Sequence, residues 1–297
     1  MTAMQDTTAK PEPRTFSERL ARIVGRGPTH LILGLIALVW LVPSIGLLVT
    51  SFRPSADMRS TGWWTVLFEP RFTTANYERV LASEGIGEAF LNSLFITIPS
   101  TILPLLIASM AAFALAWVRF PFRDTVFLVI VAMLMVPVQV GFIPTVTGFR
   151  ESGTGLLTNY GAVWLTHTAW ALPFGIFLLR NFFITLPKDL IEAARIDGAS
   201  NVGIFRTIVL PLSVPAIAAY GIFQFLWVWN DLLMSLIYAQ RNSIQPMTVK
   251  VTQLLGTYAT EWSLLSAAAF LIMIVPLIVF ISLQRFFVQG LLAGSVK

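Results

Sequence analysis

Long apolar runs separated by short polar stretches set the pattern of this chain. Six runs stand out, at about 31–52, 90–118, 125–146, 157–183, 208–238 and 264–287. A helix crossing the hydrocarbon core needs about 20 mostly apolar residues. Each run reaches that length, so the pattern predicts an all-α membrane protein of about six transmembrane helices, the longer ones tilted or protruding. Prolines break into the runs at Pro43, Pro99, Pro104, Pro137, Pro144, Pro173 and Pro276. Each removes a backbone donor and can kink its helix where protein or water satisfies the freed carbonyl. Ala108, Ala112 and Ala116 place a stripe of small residues on the second run, suited to close helix packing.

The polar stretches are patterned too. Met1–Pro13 reads as a disordered tail. Thr15 and Glu18 then form a capping box. Phe16, Leu20, Ile23 and Val24 share a face flanked by Arg19, Arg22 and Arg26. This predicts a short amphipathic helix on the membrane surface within residues 1–28, ahead of a transmembrane domain at 29–297. The most regular polar stretch lies between the fourth and fifth runs, at about 185–210. Pro187 can open a short helix with Leu190, Ile191 and Ala194 on one face, and Gly198 can end it in the left-handed conformation. Ser200 or Asn201 can cap a second short helix carrying Ile204, Phe205 and Ile208, before Pro211 and Pro215 open the next run. Helix, sharp turn and helix outside the bilayer make a compact knob.

The spacing in this knob resembles the EAA loop in the membrane subunits of ABC importers. That pattern is met at Glu192-Ala193-Ala194, Gly198, Ile208 and Leu210-Pro211. The fuller text, EAARIDGAS followed by VLPLSVP, resembles the carbohydrate branch, and the tail QRFFVQGLLAGSVK resembles permeases of the maltose or α-glucoside type. The resemblance implies that Glu192, Ala193, Ala194, Asp197, Gly198, Phe205 and Pro211 couple this chain to an ATPase. It implies a second permease subunit, an ATPase subunit dimer and an extracytoplasmic sugar-binding protein as partners. ATP and Mg would sit on the ATPase, with no cofactor on this chain. Closure of the ATPases would then move the knob as a rigid body.

Composition agrees with the apolar pattern. The 297 residues are 56% hydrophobic and 12% charged, whereas a soluble domain carries about twice that charged share. The net charge of +5 fits basic loops beside spans and calls for no nucleic acid. With the amino terminus inside, 13 of the 20 Lys and Arg residues fall on the inner side. Both termini and the knob are therefore expected in the cytoplasm of a bacterial cell, the spans in its inner membrane, in contact with lipid. The chain has no cysteine, which excludes disulfides and thiol chemistry. It has no G-x-x-x-x-G-K loop, no H-E-x-x-H and no G-x-S-x-G, so neither ATP hydrolysis nor a membrane-embedded enzyme is expected. Of the two histidines, His30 reads as interfacial and His167 as a hydrogen-bonded packing residue.

One carboxylate falls inside a run, Asp231 in WVWNDLLMSLIY. An ionisable group at that depth is costly and marks a functional candidate. With Asn230 and Trp227 it offers the amide, carboxylate and aromatic plane that a sugar requires, and it resembles the W-N-[DE] element of carbohydrate permeases. Two readings stay open: a wall of the substrate pathway, or an anchor at the outer interface. An ion-coupled secondary transporter is the alternative function. It would need several intramembrane charges and an internal repeat, and one such charge and no repeat are seen. Outside, 53–89 carries Trp63, Trp64 and Phe68 for the interface, and 239–263 resembles a loop that reaches a binding protein.

Overall fold

The computed structural model describes residues 16–82, 85–257 and 261–293; the side chains of 16–26, 257 and 286–293 are not among them. The main helices are α1 (Phe16–Ser51), α2 (Ile86–Trp117), α3 (Arg123–Met133), α4 (Phe142–Glu151), α5 (Gly161–Phe183), α6 (Lys188–Ile196), α7 (Asn201–Leu212), α8 (Val214–Trp229), α9 (Leu233–Tyr238), α10 (Met247–Thr257) and α11 (Trp262–Ala293). Among the described residues every regular element is helical. The backbone of the expected surface helix runs without a break into the first span. The side chains that would form its apolar face lie outside the described set, as do those of residues 286–297 in the chain end expected to resemble the maltose-type tail.

Among the described residues, four helices are long and apolar enough to cross a membrane: Gly27–Ser51, Ile86–Trp117, Gly161–Phe183 and Trp262–Arg285. The other two expected spans are bent. The run at 125–146 turns by 95° between α3 and α4. Pro137 explains the position, because it has no N–H to give and forces Val136 out of the helical region. The run at 208–238 bends by 77° between α7 and α8, at Ser213 with ψ 7°. It also ends at Trp229 rather than Tyr238. Asn230 to Leu232 leave the helix, and α9 begins at Leu233. Up to six spans result if each bent pair counts as one.

The centre of the bundle is α2 against α5 and α8, with α11 packed on α8 and α1 on the outside. Ala108 and Ala112 are fully buried where α2 meets its neighbours, as their size suggests. Gly175 on α5 leaves the space that the Tyr220 ring occupies, and the Tyr220 hydroxyl donates to the Ala171 carbonyl at 3.0 Å.

The prolines are what tie these helices together. A proline leaves the carbonyl four residues earlier without its helical partner. Pro99 frees Phe95, and the Trp164 indole N–H of α5 donates to the Phe95 carbonyl at 2.8 Å. Pro104 frees Ser100, and the Gln224 amide of α8 donates there at 3.0 Å. Pro276 on α11 frees Ile272, and the Trp229 indole donates to it at 3.1 Å. In three places, then, a donor missing from one helix is replaced by a side chain of another. An apolar bundle gains direction from such bonds, since lipid offers no substitute.

In the stretch after α1, Arg53 is almost fully enclosed. It donates to the Gly62 carbonyl and the Thr65 hydroxyl, both at 2.7 Å, and lies 3.9 Å from Asp57. This arginine organises the loop rather than decorating it. Trp64 and Phe68 are exposed beside it.

Candidate coupling knob and pathway cleft

The knob is built as two short helices around one turn. At the end of α6 the Ala199 N–H donates to Ala194 and the Gly198 N–H donates to Arg195, at 2.9 and 3.1 Å. These are the two bonds of a Schellman cap. Gly198 holds φ +82°, the left-handed value that glycine adopts without strain. The Ser200 hydroxyl then accepts the Gly203 N–H at 3.2 Å and starts α7. Residues Phe205–Val209 form a wide π turn just ahead of Pro211, whose ring would crowd the carbonyl of a tighter α turn.

Ile191 and Ile204 are wholly buried and root both helices in the core with Phe183 and Val209. Leu190, expected on that inner face, is exposed instead. The packed face centres on Ile191 and Ala194, and Leu190 falls on its flank. Phe205 turns inward, its ring 5.2 Å from Phe113. The Arg195 guanidinium donates to the Trp117 carbonyl at 2.6 Å, and the Trp117 indole donates to Phe183 at 3.1 Å. The knob is thereby fastened to the ends of α2 and α5. Its outer surface shows Glu192, Ala193, Asp197, Gly198 and Pro211. Ile196 is 86% exposed and Val202 64% exposed on either side of the turn.

The second candidate site lies at the break between α8 and α9. Asn230 ends α8 by donating from its amide to the Leu226 carbonyl at 2.8 Å. The Asp231 carboxylate accepts the Ser235 N–H at 3.0 Å and so starts α9. The Thr248 hydroxyl on α10 donates to the Asp231 carbonyl at 2.9 Å. The carboxylate is mostly enclosed, 12% exposed, with His167 Nε2 3.6 Å away. His167 is hydrogen-bonded, as expected, through Nδ1 to the Val163 carbonyl. Trp227 faces a cleft of about 370 Å³ with Trp170, Ala171, Phe174, Phe223 and Gln224. The cleft joins Trp227 to aromatic residues that sequence reasoning missed. Trp170 and Phe174 on α5, and Phe223 and Trp227 on α8, are each four apart. Such i, i+4 aromatic pairs on two spans were the available signal. The stretch 239–257 is pinned to α2, where Asn92 donates to Ser243 and Gln245 at 2.9 and 3.0 Å. Residues 258–260 of that loop lie outside the described set.

Comparison with known proteins fits this geometry. The profile of the family described as "Binding-protein-dependent transport system inner membrane component" matches residues 105–292. The osmoprotective compounds uptake permease protein GgtD of Synechocystis sp. is 50% identical over 275 residues, covering 91% of this chain and 92% of its own. The alpha-glucoside transport system permease protein AglG of Rhizobium meliloti is 45% identical over 257 residues, covering 83% of this chain and 68% of its own. Among solved structures, a bacterial ABC transporter involved in the import of the acidic polysaccharide alginate contains a chain with the same fold. Its TM-score is 0.74 at 22% identity, over 93% of this chain and 100% of that one.

Proposed function

This chain belongs to the family of binding-protein-dependent transport system inner membrane components, and from that premise we propose that it carries a sugar, an α-glucoside or other oligosaccharide, into the cytoplasm. It is a membrane permease subunit of an ABC importer. The proposal assigns it a second permease subunit, a pair of ATPase subunits that hold ATP and Mg, and an external sugar-binding protein. The spans lie in the bacterial inner membrane, with both termini and the knob in the cytoplasm. The sugar assignment is supported by the relative whose printed role is alpha-glucoside transport and by the aromatic cleft that Trp227 lines. Aromatic faces suit the C–H surface of a sugar ring, while Asn230 and Asp231 cap the neighbouring helix ends and do not line the cleft.

The observation that carries the coupling role is the knob's division of labour. Its inner face is locked to α2 and α5, while Ile196 and Val202 stand in solvent on either side of Gly198. Apolar residues that exposed on a rigid support fit a partner's cleft. Force applied there reaches the bundle through Arg195 and Trp117. Gly198→Asp tests this in cells expressing the full transporter, with radiolabelled maltose as the probe. The variant is expected to reach the membrane at normal level and lose both ATPase co-purification and uptake. Normal co-purification with normal uptake would remove the coupling role. Uptake unchanged after deletion of the ATPase but abolished by a protonophore would favour a secondary transporter instead.

A further inference from the structure

Four rings line the cleft, and three of them are braced by other rings. Phe174 is tilted against Tyr220 and edge-on to Phe223, both at 6.2 Å between centroids. Trp227 stands edge-on to His167 at 5.8 Å. Tyr220 is itself fixed, seated over Gly175 and bonded to Ala171. Trp170 has no such brace: among the described residues its indole makes neither a hydrogen bond nor a ring contact. It packs on the core cluster that contains Phe142 and Tyr238, and its benzo edge lies against the backbone of Gly141. A Cβ at residue 141 would stand 2.4 Å from Trp170 Cζ2, far inside the contact distance of two carbons. Gly141 has a φ of −79°, on the side of the map that all L-residues occupy. The glycine therefore answers to space and not to conformation, the reverse of Gly198. Its own place is set by a tight turn, Val138–Gly141, that follows Pro137 at the bend. The Thr145 hydroxyl of α4 donates to the Gly141 carbonyl at 2.6 Å.

We infer that Gly141 is a positioning residue that sets the width of the cleft, by giving the Trp170 indole the space it lies in, and that through Trp170 it selects cargo by size. An indole is rigid, so a side chain at residue 141 displaces the whole ring. Trp170 has packed core on one flank and an open cleft of about 370 Å³ on the other, so the displaced ring enters the cleft. That volume is near the lower end for ligand sites, which makes bulk the first property to be sorted. The lining chemistry points the same way. No charged side chain is among the lining residues, and Gln224, their one amide, spends its N–H on the Ser100 carbonyl. Stacking area and width are what remain to tell one neutral sugar from another. The size-selecting role rests on the reading of the cleft as the sugar pathway; the seating of Trp170 does not.

The test uses the assembled transporter with its binding protein in proteoliposomes. Radiolabelled maltose and maltotriose are the probes, because the longer sugar must fill more of the cleft at once. Gly141→Ala is expected to lower kcat for maltotriose several-fold more than for maltose. KM, which capture by the external binding protein governs, should stay near wild type for both. Trp170→Phe removes the atoms that the new methyl meets, so in that background Gly141→Ala should leave the ratio of the two rates unchanged. Trp170→Phe alone widens the cleft and should favour maltotriose, which keeps the test open should Gly141→Ala not assemble. A readout without sugar checks the seat itself. In transporter labelled with 4-fluorotryptophan the fluorine lies across the benzo ring from Gly141. The Trp170 19F signal, assigned with Trp170→Phe, should shift in Gly141→Ala. An unshifted signal would overturn the seating. Equal slowing of both sugars in Gly141→Ala, an effect of that change that persists without the indole, or an unaltered ratio in Trp170→Phe would overturn size selection. A wild type that carries neither sugar would remove the sugar reading and size selection with it, while the fluorine signal still decides the seating.

Discussion

Gly198 is held by conformation and not by crowding. Its φ of +82° is left-handed, yet a Cβ placed there meets nothing within 4 Å in this chain. Gly198→Ala should therefore cost about 1 kcal/mol in unfolding experiments on the purified chain. Gly198→Asn, a residue that tolerates the left-handed region, should cost clearly less. An equal loss for both would mean that the turn is not the source of the cost. The left-handed glycine was legible in the sequence because a Schellman cap is written in adjacent residues. Arg53 was not legible. In a charge tally it is one more outer cation, and its burial depends on the carbonyl of Gly62 and the hydroxyl of Thr65 folding back over it.

At the scale of elements, the proline bonds between helices make a testable claim. Gln224→Leu leaves the Ser100 carbonyl with neither a helical nor a side-chain donor. It should destabilise the bundle by about 1 kcal/mol. Pro104→Ala restores an N–H at the position that can reach Ser100. In that background the Gln224→Leu penalty should shrink, and the double-mutant cycle should report positive coupling by thermal or SDS unfolding. Additive penalties would show that the two residues act separately. The freed carbonyls were predictable from Pro99, Pro104 and Pro276. Their partners were not, because an indole N–H can reach any nearby carbonyl, and only the packing of spans selects Phe95 or Ile272. The break at Asn230 escaped for a similar reason. WVWNDLLMS holds no proline or glycine, and Asn230 and Asp231 act as caps only once α8 and α9 point in different directions.

For the whole molecule, apolar run length gave the six candidate spans, and the two that bend do so at Pro137 and at Ser213. Sidedness is the property the charge pattern predicts most directly. With no native cysteine, Ser200→Cys on the knob and Asn242→Cys on the opposite loop give clean reporters, both at exposed positions. In intact cells an impermeant thiol reagent should label Asn242→Cys and spare Ser200→Cys until the membrane is opened. The reverse pattern would invert the topology. The proline bonds bear on the moving transporter as well. Prolines carry no amide proton, so backbone hydrogen exchange is silent at Pro99 and Pro276. The hydrogens that bridge those gaps belong to Trp164 and Trp229, and an indole proton exchanges with water on its own resonance. Separation of α5 from α2, and of α8 from α11, is thus written into two distinct solvent-exchange clocks that the wild-type chain already carries.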